Sequence, residues 1–510
     1  MAETFLHGVE VLEIDAGPRP IQTVRSGVIG LIGTAPDALP ETKASLLTGV
    51  VADDNALTWT AELSGVSGNG ISIQLVDPGV NSSPLKITVT GYAIVVSLAT
   101  DPEGAITSTA GAIITAVGAD YEAVELVSVA NTGESGGTGV VTAMLAPANL
   151  SGGVDEAFPL DTPTLIAGSR REAAKLDTVG AGRGTLPGAV DSIFDQAGAV
   201  IVVVRVAEGA TESETIANIV GGVNEVTGEY EGVHAFLGAE SKIGVTPRIL
   251  IAPGYTHQRT DGTANPVVSE LVGIAERLRA VIIADGPNTT DAAALAYAGD
   301  FGSRRVYMID PWVKKLNNSG VVIDVPASPC VAGLIAKSDN DRGFWWSPSN
   351  QNINGIIGTT RAVDFALGDA NSRANLLNEQ GIATIIRQDG YRLWGNRSLA
   401  SDPKWIFLSV GRTADIINDS LLRAHLWAVD RNITKTYLQD VVEGVNAYLR
   451  HLIAIGAILG GRCWADPDLN TPDQIVQGKV YFDFDFTTPF PGEHITFRSQ
   501  LVNDYITEIF

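Results

Sequence analysis

The sequence runs to 510 residues, too long for one hydrophobic core and, at about 100–200 residues per domain, long enough for several domains. Its 34 Lys and Arg face 58 Asp and Glu, a net charge of −24 that repels a phosphate backbone and argues against a nucleic-acid partner. The longest apolar run near the C-terminus, Leu452 to Leu459, is far shorter than the roughly 20 residues of a membrane span, so no direct membrane insertion is expected.

No basic stretch precedes an apolar one in MAETFLHGVEVLEID, so no signal peptide is expected and the chain is expected to remain in the cytoplasm where it is made. Cys330 and Cys463 are far apart and in no CxxC spacing, which indicates neither a disulfide framework nor a thiolate metal site. Only 18% of residues are charged while Gly numbers 55, a balance that fits either a surface largely covered by neighbours or a wealth of loops.

Taken along the chain, HGVEVLEIDAGPRPI alternates polar and apolar residues and reads as an extended arm. Between Val51 and Leu150 ten acidic residues meet one basic residue, Lys86, which marks a separate inserted module. Within it Leu57–Leu63, Ile71–Val76, Leu85–Val89 and Tyr92–Leu98 read as short strands and hairpins, followed by a helix from about Ile106 to Val117. From Phe158 to Asp310 short Val/Ile runs (PTLIAG, AVIVVVRV, RILIAP, VIIADG, RVYMID) alternate with helical stretches. That pattern predicts a mostly parallel sheet covered on both faces. Thr211 and Glu214 form a capping-box pattern at one helix start.

Beyond Ile356 the pattern predicts an α+β region: a helix over Ser372–Gln380, strands in IATIIRQDG and WIFLSV, and helices over about Arg412–Asp430 and Tyr437–Leu459. In the last helix Val441, Val445, Leu449, Leu452, Ile455 and Leu459 define a buried stripe, with Glu443, Asn446 and Arg450 on the opposite face. The tail from Lys479 alternates polar and aromatic residues around a Pro-rich break and reads as two extended segments. An extended arm of five to eight residues must pair with a sheet or stay solvated. Both arms therefore pair either with neighbouring chains or within their own.

Catalytic signatures mostly fail. GAGRG at Gly180–Gly184 lacks GxGxxG spacing and follows a helical stretch, so a turn is expected there. GESGG at Gly133–Gly137 matches GxSxG, but a strand rather than a helix is expected after Ser135. His7, His234, His257, His425, His451 and His494 are scattered without ligand spacing, and no metal or cofactor is expected. Asp285 and Asp310 end predicted strands, where open α/β sheets bind ligands, yet Asp before Gly286 or Pro311 is also what a turn selects. The adjacent Trp345 and Trp346 read either as a stacking platform or as packing at a domain or subunit boundary.

Several stretches together resemble the contractile phage tail sheath family, which is related to pyocin-like and type VI secretion sheaths. They are HGVEVLEIDAGPRPIQTVRSGVIGLIGTAP, GTLPGAVDSIFDQAGAVIVVVRV, GFWWSPSNQNINGIIG, LNEQGIATIIRQDGYRLWGNRSLASDPKWIFLSVGRTADIINDSL, and the helix ending in AILGG with the PFPGEHITF tail. The departure is concentrated in Val51–Gly153, an insert that resembles a β-rich module of other phage tail proteins.

The resemblance implies a non-enzymatic subunit with an α/β and α+β multidomain fold. An N-terminal arm (1–25) would precede a mostly parallel central α/β domain (26–50 and 154–355), an inserted β-rich acidic domain (51–153) and a C-terminal α+β domain (356–510) that includes a C-terminal arm (480–510). It implies stacked six-fold rings around a tail tube, contraction that drives the tube through an envelope, and a place in the virion tail. Tube, baseplate and tail terminator proteins are the implied partners. Val9, Val11, Ile14, Val480, Phe482, Phe484, Ile495 and Phe497 are the expected intersubunit arm residues, and Arg450 and Arg462 the expected tube-facing ones. A bacteriocin-like or secretion-type machine, an α/β enzyme using Asp285 or Asp310, and a surface-binding role for the acidic insert are the alternatives.

Overall fold

The computed structural model describes residues 21–317, 319–503 and 505. Two compact units emerge. One takes the described residues up to Ala35, Leu160–Ala173 and the chain from Gly184 onward; the other takes Pro36–Pro159 and Ala174–Arg183.

The larger unit is organised on a nine-stranded sheet. Its strand order is Gln351–Asn352, Tyr391–Trp394, Ile382–Arg387, Val306–Ile309, Val281–Asp285, Ile249–Ile251, Val28–Thr34, Val200–Val206 and Thr164–Ala167. The central pairings are parallel and the outer ones antiparallel. The Val/Ile runs are buried because helices cover both faces. Leu186–Phe194 and Ser328–Arg342 lie on one face and pack on each other, closely enough that a Cβ at Gly333 would meet the Ile193 carbonyl oxygen at 2.7 Å. On the other face Pro266–Leu278 buries Val267, Val268, Leu271 and Ile274 against Leu250, Ile282 and Met308. Asn265 starts that helix by accepting from the Val268 N–H at 3.0 Å, just before Pro266. The Thr211–Glu214 capping box forms as the sequence predicts. Strands on either side of residue 356 belong to this one sheet.

One predicted strand is absent: WIFLSV carries a turn of 3-10 helix at Pro403–Trp405 and then the start of the Leu408–Ala424 helix. Leu408 and Val410 are buried in the first turn of that helix, while Trp405, Ile406 and Phe407 before it are half-buried, so the apolar run spans two elements and imitates a strand's composition.

The smaller unit holds a three-stranded antiparallel sheet (Lys43–Thr48, Leu57–Ser64, Val127–Asn131) and a four-stranded one ordered Lys86–Thr90, Ala93–Ser97, Ser72–Val76, Ala148–Asn149. Ser72–Val76 and Ala93–Ser97 run parallel, so only Lys86–Thr90 with Ala93–Ser97 is a hairpin among the four predicted strands. The predicted helix occupies Ala110–Ala119, started by Thr109, which accepts from the Ala112 N–H. The core is centred on Trp59, Ile73, Leu75, Ile94 and Val96, and the Trp59 indole N–H donates to Thr48 at 2.9 Å.

Candidate functional site

The strand ends that suggested an enzyme are filled by the chain's own donors. Asp285 and Asp310 are both fully buried. Asp285 accepts from the Ser328 N–H (2.8 Å), the Ser328 hydroxyl (2.5 Å) and the Thr256 hydroxyl (3.4 Å). Burial pushes its acid up to about 6 against the pull of those donors. Asp310 pairs with the Arg361 guanidinium and accepts from the Asn288 N–H at 2.8 Å; burial pushes its acid up while Arg361 opposes. Arg361 also pairs with Asp291, which Arg373 grips at 2.7 and 3.0 Å. These carboxylates tie elements together, and Asp285 and Asp310 are enclosed by the chain's own donors.

Other motifs resolve in the same way. The three N–H groups of Gly180, Ala181 and Gly182 all point at the Asp177 carboxylate, which stands where a phosphate would have to sit. Ser135 lies in a loop that follows the Val127–Asn131 strand, and the next element is the short Ala148–Asn149 strand, not a helix. Among the described residues no three His, Cys, Asp or Glu side chains are grouped to hold a metal ion. Phe344 and Trp345 pack edge to face with centroids 5.1 Å apart in a core shared with the C-terminal helices, whereas Trp346 is half exposed under the Arg342 guanidinium.

That core leads to the second candidate, the C-terminal region. The Leu408–Ala424 helix has two packed faces of opposite character, the second buried at Arg412, Asp415 and Asp419 and exposed at Arg423. Ile416, Ile417 and Leu421 pack on Val445, Tyr448, Leu449 and Leu452 of the Lys435–Ala454 helix. The other face carries Arg412, Asp415, Asp419 and Arg423, spaced three or four residues apart. Arg412 grips Asp339 at 2.8 and 2.5 Å, Asp415 pairs with Arg304 and Arg305, Asp419 pairs with Arg248, and Arg423 reaches Glu240 at 3.0 Å. Arg248 and Arg305 immediately precede sheet strands, so the helix docks on the amino ends of the sheet through charge. Nothing in the hydrophobic pattern announced this ionic face.

The buried stripe of the Lys435–Ala454 helix holds at Val441, Val445, Leu449 and Leu452. It fails at Ile455 and Leu459, which lie beyond the helix end and are exposed. Asn446 was expected on the polar face. Instead it turns to the Gly460–Ala465 strand, accepting from the Cys463 N–H at 2.8 Å and donating to the Cys463 carbonyl at 2.9 Å.

Phe482 and Phe484, expected in an intersubunit arm, lie in the Phe482–Thr487 strand, which pairs antiparallel with Gly460–Ala465 of the same chain. Their rings pack on the helical core because alternate residues of the strand turn inward, and Val480 sits half-buried just before it. The chain then leaves the hairpin. Phe490 meets Phe407 with ring centroids 6.2 Å apart, and Glu493 pairs with Arg397 at 2.7 and 2.5 Å. From there to residue 503 the backbone joins no helix or strand, and Ile495, Phe497 and Leu501 are 72%, 92% and 99% exposed. Arg450 is exposed on its helix. Arg462 is exposed but engaged, 3.2 Å from Asp485 and stacked over Trp464. Val9, Val11 and Ile14 lie outside the described residues.

Comparison with known proteins converges on one family. Residues 228–399 match the phage tail sheath protein central domain and residues 400–502 the phage tail sheath C-terminal domain. A putative prophage major tail sheath protein of Pseudomonas aeruginosa is 45% identical over 68% of this chain and 88% of its own. The tail sheath protein of Escherichia phage P2 is 35% identical over 69% and 88%, and that of Burkholderia phage BcepMu 32% identical over 99% and 98%. Among solved structures, the contracted sheath of an extracellular contractile injection system superposes with a TM-score of 0.53 at 18% identity. It covers 68% of this chain and 89% of the other. The contracted helical sheath of the anti-feeding prophage gives 0.53 at 21% identity, covering 67% and 88%.

Proposed function

Since this chain belongs to the phage tail sheath family, we propose that it polymerises as stacked six-fold rings around a tail tube and contracts to drive that tube through a host envelope. The observation that carries the proposal is the exposed stretch outside any helix or strand that bears Ile495, Phe497 and Leu501. Large apolar side chains on a strand-like segment without a sheet are costly in water and call for a partner. In a chain that assembles with copies of itself, a neighbour's sheet edge supplies one. Each ladder hydrogen bond then contributes about 0.5–1.5 kcal/mol. Residues 356–510 hold the assembly contacts in this reading, and Val9, Val11 and Ile14 of the N-terminal segment supply a second linking strand on the strength of their alternation.

A head-to-tail contact that does not close on itself builds a helical stack. Contraction exchanges one set of such contacts for a better one, and a few kcal/mol per subunit, relayed through tethered neighbours, is the usual scale of a bistable interface. Neither a nucleotide nor any other cofactor enters this scheme. The partners are other copies, a tube protein, a baseplate and a terminator, assembled in the host cytoplasm into a virion tail. A bacteriocin-like or secretion-type machine would use the same subunit in the same way, and neighbouring genes distinguish the two.

Negative-stain microscopy of the purified chain over a range of concentration and salt tests the reading. Tubes or stacked rings of uniform width are expected. Discrete particles under every condition, with and without a tube protein, would overturn it.

A further inference from the structure

The ionic face of the Leu408–Ala424 helix carries its charges in a fixed order, and the seat beneath it carries the complement. Arg412, Asp415, Asp419 and Arg423 read plus, minus, minus, plus along the helix. Their partners, Asp339, the adjacent Arg304 and Arg305, Arg248 and Glu240, read minus, plus, plus, minus. The first three sites are closed to water. The side chains of Arg412, Asp339, Asp415, Arg305, Asp419 and Arg248 are each at most 10% exposed, whereas Arg423 and Glu240 are 42% and 48% exposed. The seat is itself held in place: Arg248 donates to the Leu278 carbonyl and Arg305 to the Ala280 carbonyl at 3.4 Å, on either side of Arg279.

The apolar ridges of a helix repeat every turn, about 5.4 Å, so they tolerate a slip of one turn far better than an ordered set of charges does. Spacings of three, four and four residues set each charge one turn from the next, so a slip moves each residue onto its neighbour's site. Moved toward its C-terminal end, the helix would bring Arg412 against Arg304 and Arg305 in a buried site and Asp419 against Glu240 at the exposed end. Moved the other way, it would bring Asp415 against Asp339 and Arg423 against Arg248, both in buried sites. Like charges repel far more strongly out of water than at the surface, so each slip meets a buried barrier.

We propose that this order of charges is a register key, which admits one seating of the helix on the sheet and bars both one-turn slips. Arg412 supplies the buried barrier in one direction and Asp339 takes part in it in the other. A one-turn ratchet of a packed helix is a recognised mode of conformational change, and this joint is built against it. Buried ion pairs add little net stability over apolar packing, and fixing a register is their best-attested use. The inference goes beyond the sheath reading and does not depend on it.

Spin-label distances in the isolated full-length chain, diluted with unlabelled chain, read the register. A label at Leu422→Cys on the helix is paired in separate samples with one at Val226→Cys or Leu376→Cys; these three positions are exposed, while the native Cys330 and Cys463 are buried. The parent is expected to give one distance from each reference. Exchanging the pair, Arg412→Asp with Asp339→Arg, keeps opposite charges in the native seating and lifts the buried repulsion from the slip toward the C-terminal end. A second distance is expected, shifted by up to about 5 Å from at least one reference. The exposed exchange, Arg423→Glu with Glu240→Arg, leaves a buried repulsion against each slip and is expected to keep one distance. The milder Arg412→Gln with Asp339→Asn is expected to show the second distance at a smaller share, and it decides the matter if circular dichroism shows that the buried exchange does not fold. One distance in every folded variant would show that apolar packing sets the register and overturn the proposal. A second distance in the exposed exchange as well would show that the order of the charges is immaterial and overturn it too.

Discussion

The Asp285 carboxylate caps the Ser328–Arg342 helix from a distant strand, accepting from the Ser328 backbone N–H at 2.8 Å and its hydroxyl at 2.5 Å. The residue before that helix is Ala327, whose side chain has no oxygen to offer, so the strand end supplies the cap. Burial raises the Asp285 acid to about 6, above its unfolded value near 3.9. The folded chain therefore holds a proton between about pH 4 and 6 that the unfolded chain has released. This residue's contribution to stability is then fully present below about pH 4 and is lost as pH rises through about 6. Asp285→Asn is expected to flatten the stability profile in that window, measured as the denaturant midpoint against pH. Asp285→Ala is expected to cost about 1–3 kcal/mol at pH 4, because the Ser328 donors lose their acceptor. An unchanged slope in the Asn variant would assign the pH dependence to other groups.

The Asp415 carboxylate lies between Arg304 and Arg305 at the ionic joint that seats the Leu408–Ala424 helix, and both Asp415 and Arg305 are buried. Removing one partner of a buried pair leaves an uncompensated charge and costs about 3–5 kcal/mol. Asp415→Ala is expected to show a loss of that size in equilibrium denaturation, whereas Lys43→Ala, which breaks an exposed pair with Glu62, should lie within about 1 kcal/mol of the parent. Equal effects at the two sites would show that the joint is held by its apolar face alone.

Where one physical signal dominated, the sequence was legible. The Val/Ile runs announced buried strands because a sheet covered on both faces admits little else, and Thr211 with Glu214 announced a helix start because that geometry is local. WIFLSV was misread because its apolar run joins the end of a 3-10 turn to the buried first turn of a helix, which together have a strand's composition. Asn446 was misplaced because helical spacing assigns a face without saying what lies opposite; its partner, Cys463, is set by how the hairpin folds back. Helical spacing was equally silent on Asp415 and Asp419, whose partners Arg305 and Arg248 are more than a hundred residues away in the chain and are set by how the helix docks on the sheet. Phe482 and Phe484 carry strand alternation, but alternation does not tell a neighbour's sheet from the chain's own.

Ending the chain after Gly492 removes Ile495, Phe497 and Leu501 but keeps the hairpin and the Phe407–Phe490 contact. The truncated chain is expected to keep the parent's circular dichroism spectrum and thermal transition while forming no tubes in negative stain. Deleting Met1–Asp15 tests the other predicted arm in the same way and should also give a folded subunit that does not polymerise. Tubes from either variant would show that the deleted arm is dispensable for linking subunits.

Contact with the tube makes a separate demand on the surface. In a chain of net charge −24 an exposed Arg is a local exception that an acidic partner surface can use. Of the two arginines proposed to face the tube, Arg462 is already engaged by Asp485 and Trp464, so replacing it would disturb the hairpin as well as any contact. Arg450 is exposed on the Lys435–Ala454 helix and is the cleaner probe. Arg450→Glu is expected to leave sheath assembly without a tube unchanged and to weaken co-assembly with the tube protein by about tenfold at 0.1 M salt, where the Debye length is about 10 Å. The difference from the parent should shrink as salt is raised, because screening removes a charge contact from both chains alike. Tube binding equal to the parent's at low salt would remove Arg450 from the interface, and loss of assembly without a tube would place it between subunits instead.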